Sequence, residues 1–320
     1  MADGHRTVVY YQTQYEPTPL SGLSPNSPYG NYISPLPLIH LITHLFLAAF
    51  HINANKPVTI ALNDFEPDHP RYDQMWTDIA SMQSQGIKVI GMLGGAAPGT
   101  YECLTPDNFE TFYPKLAFYI KKYKLDGMDL DVEQSVPFDD IVHLINRLKS
   151  DFGNDFIITL APVASALEGG SNLSGFDYMQ LEHTMGHMIS WYNAQFFSGF
   201  GSIDPPQQYI DIVEYQNGLS PSRLVAVTLT NPDNGGGYVE IEKVVESLKT
   251  LTAKYGSEFG GVAGWEYFNS LPDRQKPWKW AEVMKSAMGA ATQSNEEKVG
   301  PNGRRSRIWG RRALEAASSH

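Results

Sequence analysis

"YKLDGMDLDVEQ", residues 123–134, sets Asp126, Asp129, Asp131 and Glu133 into a run that otherwise reads as a buried strand. Taking an unpaired carboxylate out of water costs several kcal/mol, so acids in such a run must be exposed, paired or functional. Side chains of an extended chain alternate. Asp129, Asp131 and Glu133 therefore share one face, with about 6.6 Å between successive members, while Asp126 and Leu130 lie on the other. Periodicity by itself leaves open an exposed strand end whose acids pair with Lys122 and Lys124.

The neighbouring segments narrow the choice. Before the acidic run come "TVVYYQT" (residues 7–13), a Pro- and Ser-rich loop, "ITHLFLAAF" (42–50), a helical stretch near 72–85, "IKVIGMLGG" (87–95) and a helical stretch over 109–123. After it come "FIITLAPV" (156–163), "HMISWYNAQFF" (187–197), "LVAVTLTN" (224–231) and "GGVAGWEYF" (260–268). These runs are continuously apolar rather than alternating, as expected for strands covered on both faces, and helices between them imply parallel pairing. Eight such units in about 285 residues predict a single closed (β/α)8 barrel, a TIM barrel of α/β class, rather than an open doubly wound sheet. In a barrel the acidic face is the lumen, and Glu133 falls at the C-terminal mouth, where such barrels keep their active sites. Carboxylates this close cannot all ionise cheaply, so at least one should hold its proton towards neutrality.

Composition excludes several classes. A net charge of −11 and a pI near 5.2 argue against a polyanionic partner, so neither nucleic acid nor a membrane surface is expected. Cys103 is the only cysteine, which rules out an intramolecular disulfide and a paired-thiolate metal site. No GxGxxG, P-loop or HExxH motif occurs and the nine histidines are scattered, so no cofactor and no metal is expected. The N-terminus enters the first strand segment without a secretory apolar stretch, which makes a cytoplasmic monomer the expectation, or a secreted one had a leader been removed. From residue 289 the chain turns polar, with Arg304, Arg305, Arg307, Arg311 and Arg312 close together. Residues 1–288 are therefore expected to be the barrel domain and 289–320 a disordered basic tail.

"DGMDLDVE" resembles the DxxDxDxE signature of glycoside hydrolase family 18, the chitinases and endo-β-N-acetylglucosaminidases, and matches it at every specified position. "GMLGG" (91–95) resembles the family's third-strand Gly-Gly motif, Trp265 in "GWEYF" its eighth-strand tryptophan, and Tyr10 a first-strand tyrosine beside the acids. The resemblance implies retaining hydrolysis assisted by the substrate's own 2-acetamido group. Glu133 would be the proton donor, Asp131 would orient the acetamide and stabilise the oxazolinium, and Asp129 would share a proton with Asp131. Asp126, facing away, would be structural.

The sixth strand departs from the family pattern. If Gln195 takes the family's glutamine place, Phe197 stands where a tyrosine hydroxyl is usual; if Tyr192 and Asn193 take the Tyr-Asp places, the hydroxyl is kept. Strand parity groups Trp191, Asn193, Gln195 and Phe197 on one face, which favours Asn193 and Gln195 as acetamido ligands and leaves Tyr192 open. Few tryptophans stand near strand mouths, essentially Trp191 and Trp265. "WYNAQFF", "TNPDNGGGYV" and "GWEYFNS" look most like the fungal endo-β-N-acetylglucosaminidases, which cut the GlcNAc-β1,4-GlcNAc bond of the N-glycan core. The alternatives are a chitinase acting on chitin or chitooligosaccharides and, from another class, a non-catalytic chitooligosaccharide-binding lectin, against which the retained Glu133 speaks.

Overall fold

The computed structural model describes residues 5–16, 28–215 and 218–298. Eight parallel strands close on themselves: β1 (Arg6–Tyr11), β2 (His44–Ile52), β3 (Lys88–Gly94), β4 (Gly127–Asp131), β5 (Ile157–Leu160), β6 (Trp191–Gln195), β7 (Leu224–Leu229) and β8 (Gly261–Trp265). Each pairs with the next in sequence, and β1 pairs with both β2 and β8, so the barrel has no open edge. The expected (β/α)8 architecture and all eight expected strands are present. Among the described residues seven α-helices surround the barrel: α1 (Asp73–Ser84), α2 (Phe109–Lys122), α3 (Phe138–Phe152), α4 (Tyr178–Met185), α5 (Gln207–Glu214), α6 (Ile241–Tyr255) and α7 (Lys279–Lys298).

Continuous apolar strands make sense here because alternate residues enter different cores. Val8, Tyr10, Phe46, Ile90, Met92, Val225, Val227 and Ala263 fill the lumen. Their neighbours Val9, Leu45, Val89, Leu130, Ile158, Tyr192 and Ala226 pack outward under the helices. In α3 the outward strands meet Ile141, Leu144, Ile145 and Leu148, a spacing of three and four that makes one apolar stripe.

Two features shape the mouth. A bulge between Leu47 and Phe50 breaks the β2–β3 register, and Ile60–Leu62 then pairs antiparallel with the end of β2, raising a wall on that side. At the end of β3 the backbone turns with Gly94 at φ 97°, a left-handed conformation that side chains disfavour, and a Cβ there would collide with the carbonyl oxygen of Asp131. The Gly-Gly pair thus lets β3 lie close against the acidic strand.

The composition boundary expected at residue 289 falls within α7, which continues to Lys298. The remainder of the expected tail lies outside the described residues. Among those described, no helix is long and apolar enough to cross a membrane.

Candidate active site

The acidic strand places its side chains as its parity requires. Register sets Asp129 between Met92 of β3 and Thr159 of β5. Asp129 is fully buried in the lumen and accepts hydrogen bonds from the Tyr10 hydroxyl at 2.9 Å, the Thr159 hydroxyl at 2.6 Å and Asn193 Nδ2 at 3.0 Å. Burial nevertheless pushes its carboxyl up to about 6, the three donors opposing without cancelling it. One step higher is Asp131, also buried, and held well above the usual carboxylate range by burial first and then by the Glu133 and Asp129 carboxylates. Above both, past the end of β4, the half-buried Glu133 reaches the cleft.

Gln195, the last residue of β6, ties the upper pair together. Its Nε2 lies 3.1 Å from Asp131 Oδ1, 3.3 Å from Glu133 Oε1 and 3.0 Å from the Ala161 carbonyl. Two amide hydrogens serve three acceptors, so Gln195 is confined to one orientation.

A cleft of about 300 Å3 opens over this cluster, lined by Tyr10, Asp131, Glu133, Gln195, Phe197 and Trp265 among others. Trp265 meets the Tyr10 ring edge to face, with centroids 5.4 Å apart, and forms an apolar side wall. The cleft offers the flat indole of Trp265 beside the Tyr10 and Phe197 rings, a paired acid site and a polar bridging amide. That arrangement suits a sugar ring whose glycosidic oxygen is to be protonated.

Of the sequence-predicted site residues, Tyr10, Asp129, Asp131, Glu133, Gln195 and Trp265 converge. Asp129 does so from beneath the cleft floor, and three others do not line the cleft. Asn193 lies fully buried below it, with Nδ2 on Asp129 and Oδ1 accepting from Trp191 Nε1 at 2.8 Å, so it supports Asp129 rather than facing a ligand. Trp191, the first residue of β6, sits low in the lumen, packed on His44 and Phe46 with the Arg6 guanidinium 4.4 Å over its ring. Tyr192 points outward, and its hydroxyl donates to Glu182 at 3.0 Å. Phe197 in the cleft and Tyr192 outside it fit the alignment in which Gln195 takes the family's glutamine place and the usual tyrosine hydroxyl is missing. Asp126 lies on the side away from the cleft, paired with Lys88 at 2.8 Å and accepting from the Val89 amide at 2.9 Å.

Two contributors escape the sequence reading. Thr159 is a hydroxyl inside an otherwise apolar strand, and that break in "FIITLAPV" was the available signal. Glu266 is buried and accepts from the amides of Gln12 and Thr13 and from the Thr13 hydroxyl, fixing the segment after β1 beside the cleft. Nothing short of the fold brings residues 254 positions apart together.

The raised affinity of Asp129 for its proton has a measurable sign. A carboxyl whose folded pKa exceeds its unfolded value stabilises the fold most at low pH and loses that contribution as pH rises, here between roughly 4 and 6. A shift of that size corresponds to about 3 kcal/mol. Asp129→Asn is expected to flatten the decline in melting temperature across this window, and a variant curve parallel to the parent's would remove Asp129 as its source.

Barrel, acid ladder and cleft together define a glycoside hydrolase. The family model described as Glycosyl hydrolases family 18 matches residues 6–219, and the chain belongs to that family. It is similar to a solved fungal endo-β-N-acetylglucosaminidase of the same family, with 44% identity, a TM-score of 0.80 and coverage of 88% of this chain and 97% of the other. It is also similar to the solved chitinase ChiC of Aspergillus fumigatus, with 47% identity, a TM-score of 0.76 and coverage of 89% and 99%. Chitinase 2 of Rhizopus oligosporus is 27% identical over 210 residues, covering 59% of this chain and 35% of the relative. The chain thus spans about a third of the length of that curated relative.

Proposed function

We propose that the protein is an endo-β-N-acetylglucosaminidase that cleaves the GlcNAc-β1,4-GlcNAc bond of the N-glycan core with retention of configuration. The observation that carries the chemistry is the Asp131–Gln195–Glu133 cluster at the floor of the cleft. Glu133, in the cleft beside an Asp131 that keeps its proton to an unusually high pH, donates to the glycosidic oxygen as the C1–O bond breaks. The acetamido oxygen of the same sugar attacks C1 and closes an oxazolinium, and Asp131, its proton passed down to Asp129, meets the positive charge as a carboxylate across the acetamide N–H. Water then attacks C1, Glu133 takes its proton, and the ring opens to the free reducing sugar. Asp129, held by Tyr10, Thr159 and Asn193, adds its charge from beneath to what keeps the proton on Asp131. The residues of the ladder and of the cleft wall supply the whole sequence of proton movements.

The substrate preference draws support from the cleft's aromatic content. Trp265 is the only tryptophan lining it among the described residues, whereas a long linear polymer is gripped by successive stacked rings. Trp76 lies in α1, Trp280 in α7, and Trp278 just before α7 lines a separate cavity. The 44% identity to a fungal endo-β-N-acetylglucosaminidase points the same way. Cleavage of chitin is the second reading, favoured by the 47% identity to chitinase ChiC. Incubation with a high-mannose glycoprotein separates the two. The expected product is protein carrying one GlcNAc per glycosylated asparagine, read by mass spectrometry. Unchanged glycoprotein together with rapid breakdown of chitooligosaccharides would establish the chitinase reading instead.

A further inference from the structure

A second cavity, of about 430 Å3, adjoins the catalytic cleft. The two share Gln12, His51 and Ala97 in their walls, so a ligand extending out of one enters the other. The end of β2 and the segment that follows contribute much of its lining, and from that segment come Lys56 and Arg71. Two cations in one concave wall stand out in a chain of net charge −11.

Neither cation is neutralised by a contact. Among the described residues no carboxylate lies within ion-pair distance of either. Arg71 is half-buried among aromatic rings, with its guanidinium carbon 4.5 Å from the centroid of Phe65 and 5.5 Å from those of Tyr15 and Tyr72. Among the described residues its Nε is buried with no hydrogen-bond acceptor. Stacking on rings fixes the planar fork while leaving its donors free, which is the state of an arginine prepared for a planar or tetrahedral anion. Lys56 is exposed at the rim and lowers the proton affinity of the adjoining His51, which burial already depresses. One acid, Asp64, also lines the cavity, leaving two cations against one carboxylate. Cations in a concave, partly desolvated wall act on an anionic ligand more strongly than the same charges on an open surface.

We propose that this cavity receives an acidic substituent of the glycan being cleaved, a carboxylate or a phosphate on a sugar beyond the reacting pair, with Arg71 as its fixed ligand and Lys56 as the rim charge. Arg71 and Lys56 are then specificity residues, not catalytic ones. The inference rests on the proposed glycan cleavage, and its test keeps the two apart.

The full chain is assayed on two pairs of glycopeptides: a sialylated glycan with its desialylated counterpart, and a phosphomannosyl glycan with its phosphatase-treated counterpart. The reading is the acidic-to-neutral ratio of kcat/KM. A ratio above one in either pair is expected, falling as salt is added. Lys56→Glu should lower that ratio by roughly fivefold, the upper end for an exposed ion pair, and Arg71→Gln by about tenfold or more, as for a hydrogen bond to a charged group. Asp64→Asn should raise it. The pair that responds identifies the anion as carboxylate or phosphate. Replacing Arg71 also removes its packing on the rings, so Lys56→Glu, at an exposed position, is the deciding variant. The same ratio is read as binding in the Glu133→Gln background, where no cleavage is required. Loss of acidic preference there supports the cavity's role even if the neutral glycopeptides prove uncleaved, an outcome that would sink the proposed function alone. An identical ratio for Lys56→Glu and parent in both pairs, in cleavage and in binding, overturns the inference.

Discussion

Glu133→Gln is expected to lower hydrolysis by about 10²–10⁴-fold, the range for removal of a general acid, while glycan binding survives. Glutamine preserves the volume of the side chain and an oxygen for the Gln195 amide, which lies 3.3 Å from Glu133 Oε1, so the cleft should keep its shape. What disappears is the proton that the leaving oxygen needs. The substitution has a second expected consequence. The Glu133 carboxylate is one of the causes that hold the Asp131 carboxyl up, so in the variant Asp131 should release its proton at a lower pH than in the parent. Three measurements read this: turnover of a fluorogenic chitooligoside or glycopeptide, ligand affinity by calorimetry, and the pH dependence of the remaining activity. A variant that hydrolyses at the parental rate would show that Glu133 is not the proton donor. Lost binding together with lost activity would mean that the substitution had disturbed the cleft itself.

The contrast between β4 and β6 marks how much of the site the sequence carries. In β4 the acids alternate with Met128, Leu130 and Val132, so the face each occupies follows from period two, and the barrel rule supplies which end is the mouth. The strands are legible for a related reason: apart from the acids of β4 and the amides of β6 they are largely apolar on both faces, as covered parallel strands are. In β6 the same parity rule correctly puts Trp191, Asn193 and Gln195 in the lumen, but it gives no height. Height depends on where a strand begins and how its register steps around the barrel. The ladder runs from Asp129 through Thr159 to Trp191, but the strands are tilted, so Asn193, two residues further on, is the one that meets Asp129, Trp191 lies lower and Gln195 reaches the mouth. A face can be counted along one segment, whereas a level is a property of neighbouring strands. The second cavity was illegible for the same reason, since Gln12, Lys56, Arg71 and Thr100 meet only when loops from successive strands are stacked.

Asp131→Asn should fail in a different way from Glu133→Gln, although the two residues share a strand face. Asparagine is nearly isosteric and leaves an oxygen for the Gln195 amide now 3.1 Å away, so the proton donor and the cleft remain in place. The charge that develops along the reaction is no longer met by a carboxylate. Loss of one preorganised electrostatic group of this kind costs about 10²–10³-fold in turnover. The defect lies in forming the cyclised acetamido intermediate, so a preformed sugar oxazoline bypasses it. Asp131→Asn is expected to transfer such an oxazoline to a GlcNAc acceptor while hydrolysing the product poorly. Glu133→Gln lacks the group that would activate the acceptor hydroxyl and should do neither well. Stability separates this from simple damage. Burial and two neighbouring carboxylates make an ionised Asp131 costly, and a group whose folded pKa is raised detracts from stability once the pH exceeds its unfolded value. The neutral amide removes that burden, so the melting temperature of Asp131→Asn at neutral pH should equal or exceed the parent's. A lower melting temperature, or equal loss of oxazoline transfer in both variants, would refute the division of labour between the two acids.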